Sequence, residues 1–256
     1  MLSEAGHWYD QKGAATYTII GANGEERNTT LRDARQHGYV PSVTTIIGMS
    51  AKPQLENWKI DQALNSAINL TQKDDESLAA FTYRCKQDSK EVGRKAAERG
   101  TIIHGMIEQG FAGGTLTKPY RKIKEYLDTT FPGEEWVAED SFCSKLGYGG
   151  KIDLYSKSGI FVDFKTKDGL QDKKASRLVF DDHGMQLSAY AHGCEFEEPE
   201  RVSIFVDRKT PDLILTHKWD KDTHERHLDM FKSLLSYWKL LKKYDPSEIL
   251  NKNEAA

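Results

Sequence analysis

Apolar positions recur at helical spacing in some stretches of this chain and bunch into short runs in others, and the order of the two sets the fold expectation. Val92, Ala96, Ile103, Met106, Ile107 and Phe111 fall near a 3.6-residue repeat, which predicts a helix over about 78–111, stopped by Gly113 and Gly114. A second, basic helix is predicted over 120–130, ending before Pro132. Three strand-like runs follow at 136–143, 150–155 and 160–164, and the residues between them, 145–149 and 156–159, carry turn chemistry. A helix near 185–193 and strands at 201–206 and 213–219 come next. The last helix, over 223–244, sets Leu228, Phe231, Leu234, Leu235, Trp238 and Leu241 on one apolar stripe. From residue 78 onward the order is α-β-β-β-α-β-β-α, an α/β fold.

Upstream, Tyr17 to Ile20 read as one arm of a hairpin turning through Asn23 and Gly24. Pro41 opens an apolar run over 42–47, and a helix is expected over 58–70. The charged residues 71–77 are the best candidate for a flexible joint. Residues 1–77 are therefore expected as an N-terminal extension with a hairpin and helix packed on a core of 78–256.

Composition narrows the function classes. Of 256 residues, 38% are hydrophobic and 29% charged, the balance of a surface-rich globular protein rather than a disordered tail. No stretch approaches the roughly 18 apolar residues of a membrane span, so no membrane partner is expected. Met1 to Ala5 carry neither an apolar signal core nor an Arg-rich amphipathic helix, so the expectation is a protein of the cytoplasm. Three cysteines, Cys85, Cys143 and Cys194, lie far apart with no C-x-x-C pair, which argues against a zinc ribbon or an iron–sulfur cluster. The net charge of −3 excludes a general basic coat, so any nucleic-acid contact must come from local patches.

The informative stretch is Gly149-Gly150-Lys151-Ile152-Asp153, then a turn, then Val162-Asp163-Phe164-Lys165. In a hairpin, period two places Asp163 and Lys165 on one face, within reach of Asp153 on the neighbouring strand. Hard carboxylate oxygens at such a point suit Mg²⁺ or Mn²⁺. The competing reading is a solvated ion cluster. Asp-x-Lys by itself carries little, since it recurs at Asp10, Asp88, Asp172 and Asp207; of these only Asp207 also follows an apolar run, and it reads as a strand end. His104 sits on the long helix, with Glu108 four residues on. Gln186 and Tyr190 are four apart on the helix that follows the acids. Each of these also has a plain reading, as a satisfied helix histidine or as a buried tyrosine beside a surface glutamine. Lys167, Lys173 and Lys174 supply local positive charge just past the acids, and Arg99 and Arg121 do so on helices.

Taken in order, His104, Glu139, Asp153, Asp163-Phe164-Lys165 and Gln186-x-x-x-Tyr190 resemble the PD-(D/E)XK nuclease superfamily, specifically its RecB-like exonuclease branch. Val40-Pro41-Ser42-Val43-Thr44-Thr45-Ile46, with Lys52-Pro53 and Trp58, is further similar to phage-encoded exonucleases and to the mitochondrial genome-maintenance exonuclease. The resemblance implies a restriction-endonuclease-like core, a mixed central sheet flanked by helices, with an N-terminal helical extension.

By that resemblance His104, Asp153, Asp163 and the backbone carbonyl of Phe164 are metal ligands for one or two Mg²⁺ or Mn²⁺ ions. Lys165 is the catalytic lysine, Gln186 and Tyr190 support the active site, and Glu139 occupies a supporting position on the preceding strand. Aspartate in place of glutamate as the second acid shortens its reach by one methylene, and the cysteines of the iron–sulfur members are missing. The implied activity is a metal-dependent DNA exonuclease acting on single-stranded DNA or free ends, with Lys167, Lys173, Lys174, Arg99 and Arg121 on the phosphates. Tyr83, Tyr120, Tyr126 or Trp58 are candidates for stacking on bases. A recombination or replication protein is the expected protein partner, and a phage gene acting in bacterial cytoplasm the expected setting. A structure-specific endonuclease on the same core and a non-cutting DNA-end-binding accessory protein are the alternatives.

Overall fold

The structure, a computed structural model, describes residues 7–254, with side chains through residue 250. In chain order the elements are β1 (Trp8–Tyr9), β2 (Thr18–Ile20), β3 (Glu26–Asn28), α1 (Leu31–His37), β4 (Val40–Pro41), α2 (Val43–Ile47), α3 (Pro53–Asn69), α4 (Leu78–Phe111) and α5 (Lys118–Thr130). There follow β5 (Trp136–Ser144), β6 (Tyr148–Ser156), β7 (Ile160–Lys167), α6 (Asp181–Gly193), β8 (Glu200–Asp207), β9 (Ile214–Lys218), α7 (His224–Lys242) and α8 (Ser247–Glu254). Among the described residues no helix is long and apolar enough to cross a membrane.

A mixed five-stranded sheet in the order β5-β6-β7-β8-β9, flanked by helices, is the centre of the α/β fold. All its pairings are antiparallel except β7 with β8, where Asp163 stands beside Ser203 and Lys165 beside Phe205. A parallel pair needs a crossover, and α6 lies within it. β7 is buried without interruption from Ile160 to Phe164, as expected of a central strand covered on both faces. Turns at Gly147 (φ 84°) and Gly159 (φ 96°) adopt left-handed backbone, which explains glycine at both positions.

The described residues up to Met49 form one compact unit with those from Met106 onward, and Ser50–Gly105 form another. The expected extension of residues 1–77 is thus shared between the two. In the first unit α1 opens on a reciprocal capping box between Thr30 and Asp33 and closes on left-handed Gly38. β1 pairs with β4, and β2 with β3 in the expected hairpin.

In the second unit Ser66 of α3 donates to Asp88 of α4 at 2.9 Å, and Trp58 lies against Gly93. Residues 71–77, expected as a joint, form a bonded connection inside this unit. Arg84 donates to both carboxylate oxygens of Glu76 and to the carbonyl of Thr71. The stripe expected on α7 is also narrower, because Leu241 lies past the buried set of Leu228, Phe231, Leu235 and Trp238 and is 50% exposed.

The core that carries α6 is dense. Arg201 of β8, fully buried, donates to Ser188 on α6 at 2.8 Å, to Thr223 at 2.9 Å and to the carbonyl of Asp220, and its guanidinium lies 3.1 Å from His227 Nδ1 on α7. Burial without a carboxylate partner brings this guanidinium down to about 10. Gly184 lets the His227 ring approach, since a Cβ there would lie 2.5 Å from the ring.

Gly184→Ala is expected to destabilise the protein by about 1–3 kcal/mol through overpacking. Gly105→Ala, in helix α4 with nothing near the added methyl, is expected to stabilise it by about 1 kcal/mol. Denaturant titration of both variants measures the two, and equal effects would contradict the packing described.

Candidate active site

β6 and β7 are paired at Leu154–Val162 and Tyr155–Phe161, and there the ladder stops although both strands continue. The register brings Asp153 opposite Asp163 at the next position. A buried backbone N–H needs an acceptor, and for Phe164 this is a side chain: Asp153 Oδ2 accepts its N–H at 2.8 Å. From this point β6 continues on β5 and β7 on β8. The two strands part at the paired acids.

Asp163 is 1% exposed. Its Oδ1 accepts from Lys165 Nζ at 2.6 Å, and its Oδ2 is buried with no hydrogen-bond partner among the described residues. Lys165 Nζ also donates to Gln186 Oε1 at 3.1 Å, and Gln186 Nε2 donates to the Tyr190 hydroxyl at 3.0 Å. One chain of bonds therefore joins the end of β7 to α6. Gln186 and Tyr190 share a helix face at the expected spacing of four.

Burial opposes the charge on Lys165, but Asp163, Asp153 and Asp182 outweigh it, and the ammonium is held above its ordinary range. The Tyr190 hydroxyl is pushed well up by burial and by the same two acids, Asp153 and Asp163. Lys167 is drawn down by burial and by Arg208.

The structure thus brings Asp153, Asp163, Phe164, Lys165, Gln186 and Tyr190 together. Glu139 lies on β5 with left-handed backbone (φ 57°), and ladder pairs stand on either side of it, Ala138 with Leu154 and Asp140 with Ile152. A non-glycine residue held there stores strain. Its carboxylate forms an ion pair with Lys151, two residues before Asp153.

His104 falls in the Ser50–Gly105 unit, as does exposed Arg99. Among the described residues no three His, Cys, Asp or Glu side chains come together as a metal-holding group. Lys173 Nζ donates to the carbonyl of Asp168, and Lys174 and Arg121 are exposed. Tyr120, a candidate for base stacking, packs edge-on against Phe111 at 5.1 Å and over Gly110. Asp207 does end its strand, accepting the amides of Leu170, Lys209 and Thr210.

Two features were not legible in the sequence. Gly149, expected in a turn, lies within β6 ahead of Gly150, where the expected strand begins, and neither position has room for a side chain. A Cβ on Gly149 would lie 3.0 Å from Tyr9, and one on Gly150 would lie 2.7 Å from the Tyr190 ring. The second feature is His183 of α6, 7% exposed and edge-on to Phe180 at 5.7 Å. Burial and the charge of Lys165 hold its imidazole at about 4. Its i, i+3, i+7 spacing to Gln186 and Tyr190 was the available signal.

No family model matches the chain, and no curated protein matches it in sequence. Among solved structures it is similar to the crystal structure of SSO0001, at 14% identity over 70% of this chain and 85% of that one, with a TM-score of 0.31. It is also similar to an alkaline exonuclease (LHK-Exo) from Laribacter hongkongensis, at 13% identity over 78% of this chain and 98% of that one, with a TM-score of 0.32.

Lys165→Met is expected to lower stability by up to about 3 kcal/mol, because it leaves the buried Asp163 carboxylate without its cation. Adding Asp163→Asn should recover most of that loss. A strictly additive double variant would show that the pair is not coupled. His183 has a second consequence. Its folded pKa lies below the ordinary 6.5, so as pH falls past 6.5 the unfolded chain takes up the proton first, and stability is lost progressively towards pH 4. Melting temperatures between pH 7.5 and 5 should fall less steeply in His183→Phe than in the unaltered protein.

Proposed function

We propose that this chain is a PD-(D/E)XK-type, Mg²⁺- or Mn²⁺-dependent deoxyribonuclease that removes nucleotides from DNA ends with low sequence specificity, in recombination, replication or DNA degradation. One observation carries the reading. Among the described residues the buried Oδ2 of Asp163 has no hydrogen-bond partner, although a second carboxylate, Asp153, stands opposite it where the two strands part. An orphaned carboxylate oxygen inside a protein is costly, and a hard divalent cation is the species that best satisfies it. Two carboxylates, with the Phe164 carbonyl proposed as a further oxygen donor, make a set that fits such an ion. His104, which lies in the Ser50–Gly105 unit, is proposed as a further ligand from the resemblance alone.

Bound there, the ion would polarise a phosphodiester and lower the pKa of a water molecule. The chain's own residues supply the rest. Lys165, held protonated between Asp163 and Gln186, acts as a donor that orients the attacking water and offsets charge building on the phosphate. Gln186 fixes the direction of that ammonium, and Tyr190 fixes Gln186. Asp153 serves twice, as a ligand and as the acceptor that keeps the Phe164 backbone, and with it Asp163, in place. Lys167, Lys173, Lys174, Arg99 and Arg121 are proposed as phosphate contacts, which position a strand without reading its bases.

The test uses purified full-length protein with Mg²⁺ or Mn²⁺ on linear and circular single-stranded DNA. Loss of linear DNA alone is expected, stopped by a chelator and reduced at least about 100-fold by Lys165→Ala or Asp163→Asn, the scale of losing an electrostatic contact to the transition state. Cutting of the circle would replace the exonuclease with an endonuclease. DNA binding without any cutting would replace it with an end-binding accessory protein.

A further inference from the structure

The segment ahead of the long helices brings an aromatic column to the rim of this site. His7 and Tyr17 lie ring on ring, with centroids 4.4 Å apart and planes 25° from parallel. Tyr17 meets Tyr9 edge-on at 5.7 Å, and their hydroxyls share a hydrogen bond of 2.7 Å. Tyr9 is 2% exposed and anchored against Gly149 of β6. On the adjacent Gly150 lies the ring of Tyr190, the far end of the chain of bonds running through Gln186 to Lys165 and Asp163. Successive positions of β6 face opposite sides, yet Tyr9 and Tyr17 lie near enough to Tyr190 for their hydroxyls to act on one another electrostatically, and the same strand leads on at once to Lys151 and Asp153.

The column is rigid at its base. Tyr9 is buried and Tyr17 half-buried, whereas His7 is exposed although one face of its ring is covered by Tyr17. A flat, anchored, stacked surface with an exposed outer ring suits a planar aromatic ligand. Beside a site that cleaves phosphodiesters, that ligand is a nucleobase, and only a base free of its pairing partner can lie flat on a side chain.

Resting on the nuclease reading above, we propose that the His7–Tyr17 stack is a binding platform for an unpaired nucleobase of the strand whose phosphate lies at Asp153 and Asp163. Stacking tolerates any base, so the platform would select single-stranded ends without selecting sequence. It would also hold the scissile phosphate at a fixed distance from the last stacked base.

The test uses full-length protein carrying Lys165→Ala, so that bound DNA stays intact. The probes are single-stranded oligonucleotides with 2-aminopurine at successive positions from one end, and matching oligonucleotides abasic at those positions. Quenching of 2-aminopurine at one position is expected, lost in His7→Ala and Tyr17→Ala and kept in His7→Phe and Tyr17→Phe. Kd for the base-bearing oligonucleotide should rise about tenfold in the alanine variants, the usual scale for one base–aromatic stack. Kd for the abasic one should not change.

Equal weakening on both oligonucleotides would make the column a structural support and overturn the proposal. Unchanged binding by alanine variants with an unaltered melting temperature would overturn it too. Neither result touches the nuclease reading, which stands or falls on cutting by the protein with Lys165 in place. Failure of every form to bind either oligonucleotide would overturn the platform and leave the nuclease reading to the cutting assay.

Discussion

A carboxylate taken out of water needs a cation close by, and at Asp163 that cation sits two residues further along the same strand. The rest of the site follows from this pairing. Period two in β7 is what puts the carboxylate and the Lys165 ammonium on one side of the strand. With 26% of its side chain accessible, Lys165 sits where the buried acid meets water. One oxygen of Asp163 is satisfied by Lys165 and the other by no described residue.

What holds the site in place lies largely outside it. Gln186 can reach Lys165 only if α6 keeps its rotation and height over the sheet. Those are set by Arg201 on β8, which ties α6 through Ser188 and α7 through His227 and the turn before it. Gly184 and Gly150 complete the arrangement by having no side chain where the His227 and Tyr190 rings must lie. A buried arginine with neutral partners gains little stability for its burial. Its value here is geometric, since five donors in a fixed fork allow few placements of α6.

The strand that parts from its neighbour supplies the other half of the design. Asp153 replaces a backbone acceptor with a carboxylate, so β6 can leave β7 without stranding the Phe164 amide. Beyond β6, left-handed Glu139 of β5 pairs with Lys151, and Tyr9 lies against Gly149. Chain segments more than a hundred residues apart thus meet on β6.

Local pattern determined the element order, because apolar periodicity and turn residues act within a few positions of one another. The long helix at 78–111, the three consecutive strands and α6 were legible for that reason. So were the shared face of Asp163 and Lys165 and the shared face of Gln186 and Tyr190, which follow from strand and helix periods alone. Tertiary structure decided what periodicity does not encode. It put Gly149 inside a strand, where the sequence reads as a turn, with Tyr9 from a distant segment packed against it. It set His104 in a unit other than that of the acids, since the residue's place on a helix says nothing about which side chains pack beside it. It brought His7, Tyr9 and Tyr17 to the rim through pairing of β1 with β4 and packing on β6, contacts between residues with no common period. Interactions within one turn or one strand are written in spacing; those between elements arise only when the chain closes on itself.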